Sequence, residues 1–438
     1  MPFLHTFKQI FSSEHLNEIA VQHGFKKRNR KIKLEDFIAL CAFYHEETGM
    51  KSLGQLCATL YDVKNVNVTE EALHQRFNQQ AVNFLKTIFN CIFQKQLSDS
   101  MLKIENLPFH RIRIVDSTGF KTPTDDPKTG YQGCAQPSLK IQVEYEMKQG
   151  QFLHLDIRNG KEHDTTYAAT LLHTVQPGDL LLRDLGYFSL DGLKSIHEQG
   201  GYYISMVKHN VKIYFTKERT EEPKCAEDFI KDLAPGETME VHHVYISQKR
   251  IPQPRLILYR LTEKQERDRE KKWNQRRKKR KHTSKHRQTH PIYAYITNTS
   301  VKEIAKEAVY ALYSLRWQIE ILFKVWKSIF RIHRIKKVKK ERLDCHLYGT
   351  LISILISSSV TFKIRSFLYQ KEKREISEYK TMYIVKEALP NIYIHLFKPH
   401  KKITAFFDGL YDLIRKNGKK SKRWDKKSPF DMLEALPG

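Results

Sequence analysis

Three carboxylates, two cations and a phenol stand in this chain with spacings suited to chemistry on phosphate. The most ordered part is Tyr313-Ser-Leu-Arg316-Trp-Gln-Ile-Glu320-Ile-Leu-Phe-Lys-Val-Trp-Lys327, a Y-x2-R-x3-E-x6-K pattern. On a continuous helix, at about 100° per residue, Tyr313, Arg316, Glu320 and Lys327 fall within an arc of about 60°. A neighbouring arc carries Leu312, Leu315, Ile319, Leu322 and Trp326, a stripe suited to packing on a core. One face would then be held still while the other presents a carboxylate flanked by two cations and a phenol. Such a face can hold a metal ion and grip phosphates beside it.

Two aspartates upstream extend the set. Asp116 closes the alternating segment Arg111-Ile-Arg-Ile-Val-Asp116, and Asp184 closes Asp179-Leu-Leu-Leu-Arg-Asp184. Hard divalent cations take carboxylate oxygens, and two ions about 4 Å apart can stabilise both the attacking and the leaving oxygen of a phosphoryl transfer. Each piece alone says little. A charged helix face is ordinarily a solvated surface, Arg316 and Glu320 form an i, i+4 pair, and an aspartate after a strand often only caps a turn. The combination is what points to chemistry.

Composition narrows the partner. The chain has 438 residues, with 76 Lys and Arg against 49 Asp and Glu and a formal net charge of +27. A folded protein this basic most readily meets a polyanion, and nucleic acid is the commonest one. Six cysteines are scattered without a C-x-x-C pair and twenty histidines show no H-E-x-x-H spacing, so any metal is expected on carboxylates rather than on sulfur or imidazole. The first residues lack the apolar core of a secretory signal. The apolar run from Leu347 to Phe362 is too short to span a bilayer and is read as a buried helix. The expected compartment is the cytosol, with no membrane partner.

These residues need elements to position them. Residues 1 to about 104 read as entirely helical, with Thr69 as an N-cap and Gln75, Arg76, Asn78 and Gln79 as candidate DNA contacts on a presented helix. A helical packing module with ordinary polar surfaces fits that stretch equally well. From about residue 108 the texture changes to strands: 111–116, 138–147 and 152–157, then a helix over 164–175 with Asp164 as N-cap. A strand at 179–184, a helix at 190–199 and a strand at 202–207 follow. This order indicates an α/β domain with a mixed sheet and aspartates at strand ends, where ligand sites gather. Residues 211 to about 290 read as a β-rich insertion with extended segments at 211–215, 238–247 and 255–260. It ends in a long basic loop that includes Arg276, Arg277, Lys278, Lys279 and Arg280, suited to nucleic-acid backbone. A last strand, 292–296, leads into a helix capped by Ser300 with Glu303 at the box position. The remainder, from about 371 to 438, reads as helical and basic, a dimerisation element or extra DNA surface.

In these pieces the chain resembles the DDE transposases of bacterial insertion sequences, in the group marked by the YREK signature. The resemblance runs through Val115-Asp116-Ser-Thr-Gly-Phe, Asp184-Leu-Gly-Tyr-Phe and Tyr313 to Lys327, and the 136 positions from Asp184 to Glu320 suit it. It implies a ribonuclease-H-like core in two parts, 105–210 and 291–370, interrupted by the β-rich insertion 211–290. An all-helical N-terminal DNA-binding domain, 1–104, and a helical C-terminal region, 371–438, flank that core. Asp116, Asp184 and Glu320 would hold two Mg2+ or Mn2+ ions, while Tyr313, Arg316 and Lys327 would contact phosphates near the cleaved end. Double-stranded DNA, at transposon ends and target, is the implied partner, with a homodimer in the DNA complex. The reaction would nick the transposon end, free a 3′-hydroxyl and join it to target DNA, in this family often through a hairpin. Some relatives stack a flipped base on a tryptophan placed before the Glu-bearing helix. No Trp stands between residues 274 and 316 here, which leaves Tyr293, Tyr295 or Trp273 for stacking. A nuclease or resolvase of the same fold without joining activity, and a non-catalytic DNA-binding repressor, remain the alternatives.

Overall fold

The computed structural model describes residues 2–26, 31–44, 47–98, 108–123, 130–207, 211–242, 244–246, 254–280, 291–396, 400–420 and 432–433. Six helices open the chain: α1 (Pro2–Ile10), α2 (Ser13–Gln22), α3 (Leu34–Ile38), α4 (Leu53–Lys64), α5 (Glu70–Arg76) and α6 (Gln79–Ser98). Next come β1 (Arg111–Lys121), β2 (Ser138–Glu146), β3 (Gln151–Asn159), α7 (Asp164–Thr170), β4 (Asp179–Arg183), α8 (Leu190–Glu198) and β5 (Tyr202–Met206). The stretch after β5 holds β6 (Ile213–Tyr214), β7 (Thr238–Val241), β8 (Tyr245–Ile246), β9 (Arg255–Arg260) and α9 (Glu263–Arg280). It is followed by β10 (Ile292–Thr297), α10 (Lys306–Ser314), α11 (Trp317–Ser328), α12 (Lys340–Glu372), α13 (Glu378–Leu396) and α14 (His400–Asn417). The fold is mixed α/β with a large mixed sheet.

Two compact units divide the chain. One comprises Met1–Lys103, Ser117–Lys161 and Ile319–Lys426; the other comprises Ile104–Asp116, Glu162–Gln318 and Lys427–Gly438. In the first, α12 is the central rod: Leu347, Leu351, Ile354 and Leu355 along it are fully buried. It is long and apolar enough to cross a membrane, and 83% of its apolar window is buried inside the protein. That burial matches the helix expected over 347–362. α12 packs on α6, on α13 and on a π-helical turn at Ala39–Phe43. Ser353 donates to the Ala42 carbonyl of that turn, giving a buried acceptor the partner it needs. The approach is so close at Gly349 that a Cβ there would lie 2.4 Å from the Cys41 carbonyl oxygen; only glycine fits. The hairpin β2–β3 belongs to the same unit, with Tyr145 of β2 against Phe362 of α12.

The candidate DNA contacts near α5 separate on inspection. Thr69 does cap α5, accepting from the Ala72 N–H. Arg76 is buried, its guanidinium 3.7 Å from the Phe25 ring centre and donating to the Phe25 carbonyl. It is a core residue here, not a surface reader. Asn78 accepts from the Ala81 N–H and so begins α6. Gln75 and Gln79 are exposed but engaged with Glu71 and Asn83.

In the second unit the sheet runs β1-β4-β5-β10-β9-β7. β1, β4 and β5 are mutually parallel, whereas β10 is antiparallel to both β5 and β9, and β7 to β9. Every residue of β4 is buried, as a central parallel strand requires. Two strands of the expected insertion, β7 and β9, extend this sheet through β10, while β6 and β8 form a separate pair. The helix after β3 is shorter than expected and its N-cap lies one residue earlier: His163 is the N-cap and Asp164 the first helical residue.

At the opening ends of β1 and β4 lies a buried charge cluster. Arg111 makes a fork to Asp179 (2.7 and 2.6 Å), and Arg113 Nη1 lies 2.9 Å from Asp179 Oδ2. The side chains of Asp179 and Arg113 are 0% and 1% exposed. Burial raises the Asp179 carboxyl, but hydrogen bonds from Arg111, the Gln176 N–H and Arg113 outweigh it and hold its pKa below the usual carboxylate value. The ionised form therefore contributes stability at neutral pH, lost as acid titrates the folded-state carboxyl. Asp179→Ala is expected to destabilise the fold by about 3–5 kcal/mol, because Arg113 would keep its charge in a buried place. Urea denaturation at pH 7 measures it; a loss under 1 kcal/mol would contradict this view of the cluster.

Two local expectations change. The basic stretch after β9 is not a loop at its start but α9, an 18-residue helix. Thr262 and Gln265 exchange reciprocal side-chain bonds at its beginning (2.9 and 3.3 Å), and Glu263 pairs with Arg267 one turn on. A capping box and an acidic first turn nucleate a helix whatever its net charge. Ser300 and Glu303 do make the expected reciprocal bonds (2.6 and 3.3 Å). Those bonds close a turn, however, and α10 starts later, with Ala305 at its N-cap.

Candidate active site

The parallel register of β1 and β4 is what brings two carboxylates together. Val115 pairs with Arg183 as the last pair of that ladder, so the next residues, Asp116 and Asp184, lie side by side on neighbouring chains about 4.8 Å apart. Asp184 follows the end of β4, but β1 does not stop at Asp116 as expected and runs on to Lys121; what ends there is its pairing with β4. Asp184 also starts a short 3-10 turn, Leu185–Tyr187, whose Tyr187 packs with Val115, Tyr167, Ala168 and Leu171 in a small core beneath.

Arg316 reaches both acids. Its Nη1 lies 3.4 Å from Asp116 Oδ2 and its Nε 3.6 Å from Asp184 Oδ1. The Arg316 side chain is 7% exposed, against 19% for Asp116 and 42% for Asp184. A guanidinium thus sits on the inner side of the pair and solvent reaches the outer side. Two adjacent carboxylates repel unless a cation stands near both.

The Y-R-E-K stretch is not one helix. α10 ends at Ser314 and α11 begins at Trp317. Between them, the Leu315, Arg316 and Gln318 N–H groups bond to the carbonyls of Leu312, Tyr313 and Leu315, the tighter three-residue pattern. The 60° arc therefore does not describe how Tyr313 and Arg316 are placed. The apolar stripe does hold, since Leu312, Leu315, Ile319, Leu322 and Trp326 are all buried.

Tyr313 is buried as well. Its hydroxyl donates to the Arg183 carbonyl at 3.2 Å, and its ring lies 4.9 Å from that of Tyr295. Burial pushes the phenol pKa well up. The hydroxyl bond ties α10 to the end of β4 beside Asp184. Lys327, on α11 in the other unit, is half-buried and donates to the Gly119 carbonyl at 3.1 Å. Burial lowers its pKa. Glu320, in the first turn of α11, is partly exposed.

The stacking candidates fare differently. Tyr295 is 1% exposed, its ring already packed against its neighbours. Tyr293 is partly exposed, but its ring faces Tyr310 at 6.1 Å and the Arg269 guanidinium at 4.8 Å. Tyr310 stacks in turn on Tyr259 at 4.4 Å. Trp273 is partly buried on α9. The backbone of Arg276, Arg277, Lys278, Lys279 and Arg280 ends α9, and their side chains lie outside the described residues. What the sequence did not disclose is Arg316 as partner of both aspartates. The signal for it is three-dimensional, since it depends on the break before α11 and on the β1–β4 register.

A family model described as the transposase DDE domain matches residues 107–356, more than half of the chain. The chain belongs to the DDE transposases of bacterial insertion sequences. The matched span begins just before β1 and ends inside α12, so it includes all three acids and the Y-R-E-K stretch. The transposase of insertion sequence element IS231E from Bacillus thuringiensis subsp. finitimus is 38% identical over 98% of this chain and 94% of its own length. The transposase of IS1151 from Clostridium perfringens is 35% identical, over 98% and 95%. Among solved structures, a piggyBac transposase synaptic complex with hairpin DNA aligns with a TM-score of 0.49 and 11% identity, over 98% of this chain and 87% of that one.

DDE transposases generally use divalent metal ions. Among the described residues, no group of three or more His, Cys, Asp and Glu side chains stands close enough to hold one. The donor chemistry of the Asp116–Asp184 pair nevertheless fits a hard cation: two neighbouring carboxylates, with a guanidinium already supplying positive charge to both.

Proposed function

We propose that this transposase binds the DNA ends of its element, cuts them by phosphoryl transfer and joins the freed 3′-hydroxyls to target DNA. The observation that carries the reading is the side-by-side placement of Asp116 and Asp184 just past the β1–β4 ladder, with Arg316 against both. The chain order of three strands, helix, strand, helix and strand from β1 to β5 supports a ribonuclease-H-like core. Asp116, Asp184 and Glu320, the family's acidic triad in this sequence, would hold Mg2+ or Mn2+. When bound, two such ions supply Lewis-acid stabilisation of the attacking and leaving oxygens.

The chain's own residues position the DNA. Arg316 and Lys327 hold phosphates near the scissile bond, which fixes the reacting oxygen in line with its target. Tyr313 keeps the Arg316 main chain in place through the β4 carbonyl it engages. α9 lies along the DNA backbone through its basic end, and two copies of the chain pair two ends. The nearest rival is a nuclease of the same fold that cuts without joining. Pre-cleaved element ends, incubated with the protein, Mg2+ and a supercoiled target plasmid, separate the two readings. Covalent insertion of the ends is expected. Nicked plasmid with no joined product would favour the nuclease.

A further inference from the structure

We propose that Arg316 is the resident counter-ion of the Asp116–Asp184 pair and competes with a divalent cation for it, so that the DNA-free protein takes up metal weakly. The inference rests on reading that pair as metal-binding carboxylates.

The competition follows from where the guanidinium sits. It contacts one oxygen of each acid, at 3.4 and 3.6 Å, while almost wholly buried. A hard cation needs carboxylate oxygens from the same two groups, and two positive charges cannot share that space without strong repulsion. The guanidinium keeps its charge at any accessible pH. The guanidinium has to withdraw, leaving both charge contacts, and that loss is subtracted from the cation's affinity.

Its anchorage makes the arrangement specific. The Arg316 N–H is fixed on the Tyr313 carbonyl, and the Tyr313 hydroxyl is fixed on the carbonyl of Arg183, the residue before Asp184. The backbone of Arg316 is thereby referenced to the strand that carries one of the acids. Its contacts are nonetheless longer than the 2.7–2.9 Å typical of tight charge-assisted bonds. The guanidinium neutralises the pair without being locked to it, which is what a displaceable occupant requires. A structural ion pair, by contrast, would be forked and short, as Arg111 is on Asp179.

The test is a Mn2+ titration of the full-length protein without DNA, with free Mn2+ read by electron paramagnetic resonance. Arg316→Met removes the charge and keeps most of the apolar stem; Arg316→Gln takes its place should the methionine variant not fold. Either is expected to bind Mn2+ at least about tenfold more tightly than the parent. Arg316→Lys, which keeps a cation, should stay close to the parent. Adding Asp184→Asn to the Met or Gln variant should erase the gain. Unchanged or weaker Mn2+ binding in the Met or Gln variant, with binding still dependent on Asp184, overturns the competition and leaves the metal reading standing. A lysine variant that binds as tightly as the methionine one also overturns it, because charge is what the inference names. Mn2+ binding indifferent to Asp184→Asn in every background overturns both.

Discussion

Asp116→Ala is expected to lower DNA cleavage by at least about 10^3-fold while element ends remain bound. The effect is large because the acid would serve where charge develops on the reacting oxygens, and losing such stabilisation costs several kcal/mol of barrier. It should leave the fold in place. Asp116 lies just beyond the last pair of the β1–β4 ladder, Val115–Arg183, and Arg316 keeps Asp184 as a partner. Cleavage of a labelled end duplex in Mg2+ measures the first effect, and a gel-shift titration in EDTA measures the second. A variant that still cuts near the parental rate would remove Asp116 from the chemistry. A variant that neither cuts nor binds would show that the residue is structural.

Affinity for duplex DNA is expected to fall by roughly 10^3-fold or more between 50 and 200 mM salt, a logarithmic slope of about −5 or steeper. Each phosphate neutralised by Lys or Arg releases a condensed counter-ion, so slope reports the number of contacts. A formal charge of +27 makes six or more contacts a modest requirement. Fluorescence anisotropy of a labelled duplex, titrated at several salt concentrations, gives the slope directly. A flat dependence would falsify the assignment of the basic segments to a DNA surface. Replacing Arg276, Arg277, Lys278, Lys279 and Arg280 by glutamine should flatten it by several units, as those residues end α9.

The sequence disclosed most where local pattern and tertiary structure coincide. The strand end before Asp184 is legible because a pure apolar run stops at an acid, whereas the alternation that stops at Asp116 does not mark the end of β1, which continues to Lys121. The buried helix around 347–362 was legible because serines among aliphatic residues can satisfy themselves on their own helix, as Ser359 does on the Leu355 carbonyl. Arg76 reads as a candidate surface contact because a cation beside polar neighbours looks solvated. Its partner ring, Phe25, lies 51 positions away. The helix at α9 was legible in principle from Thr262 and Gln265, but the charge density that follows masked a short capping signal. Tyr293 and Tyr295 share one face of β10, both beside Tyr310, and differ in how deeply the neighbouring elements bury them, which the strand alone does not disclose.

The break at Leu315 and Arg316 changes what the motif's fixed intervals measure. From Glu320 to Lys327 the interval is a count of helical turns, set by the geometry of α11 itself. From Tyr313 to Arg316 it spans the tighter three-residue turn between α10 and α11, outside the α-helical repeat. There the interval is the length of a tether: one end is pinned by a phenol to a strand carbonyl, and the other delivers a guanidinium to two acids. A spacing that looks like a single periodic signature is thus a ruler at one end and a leash at the other.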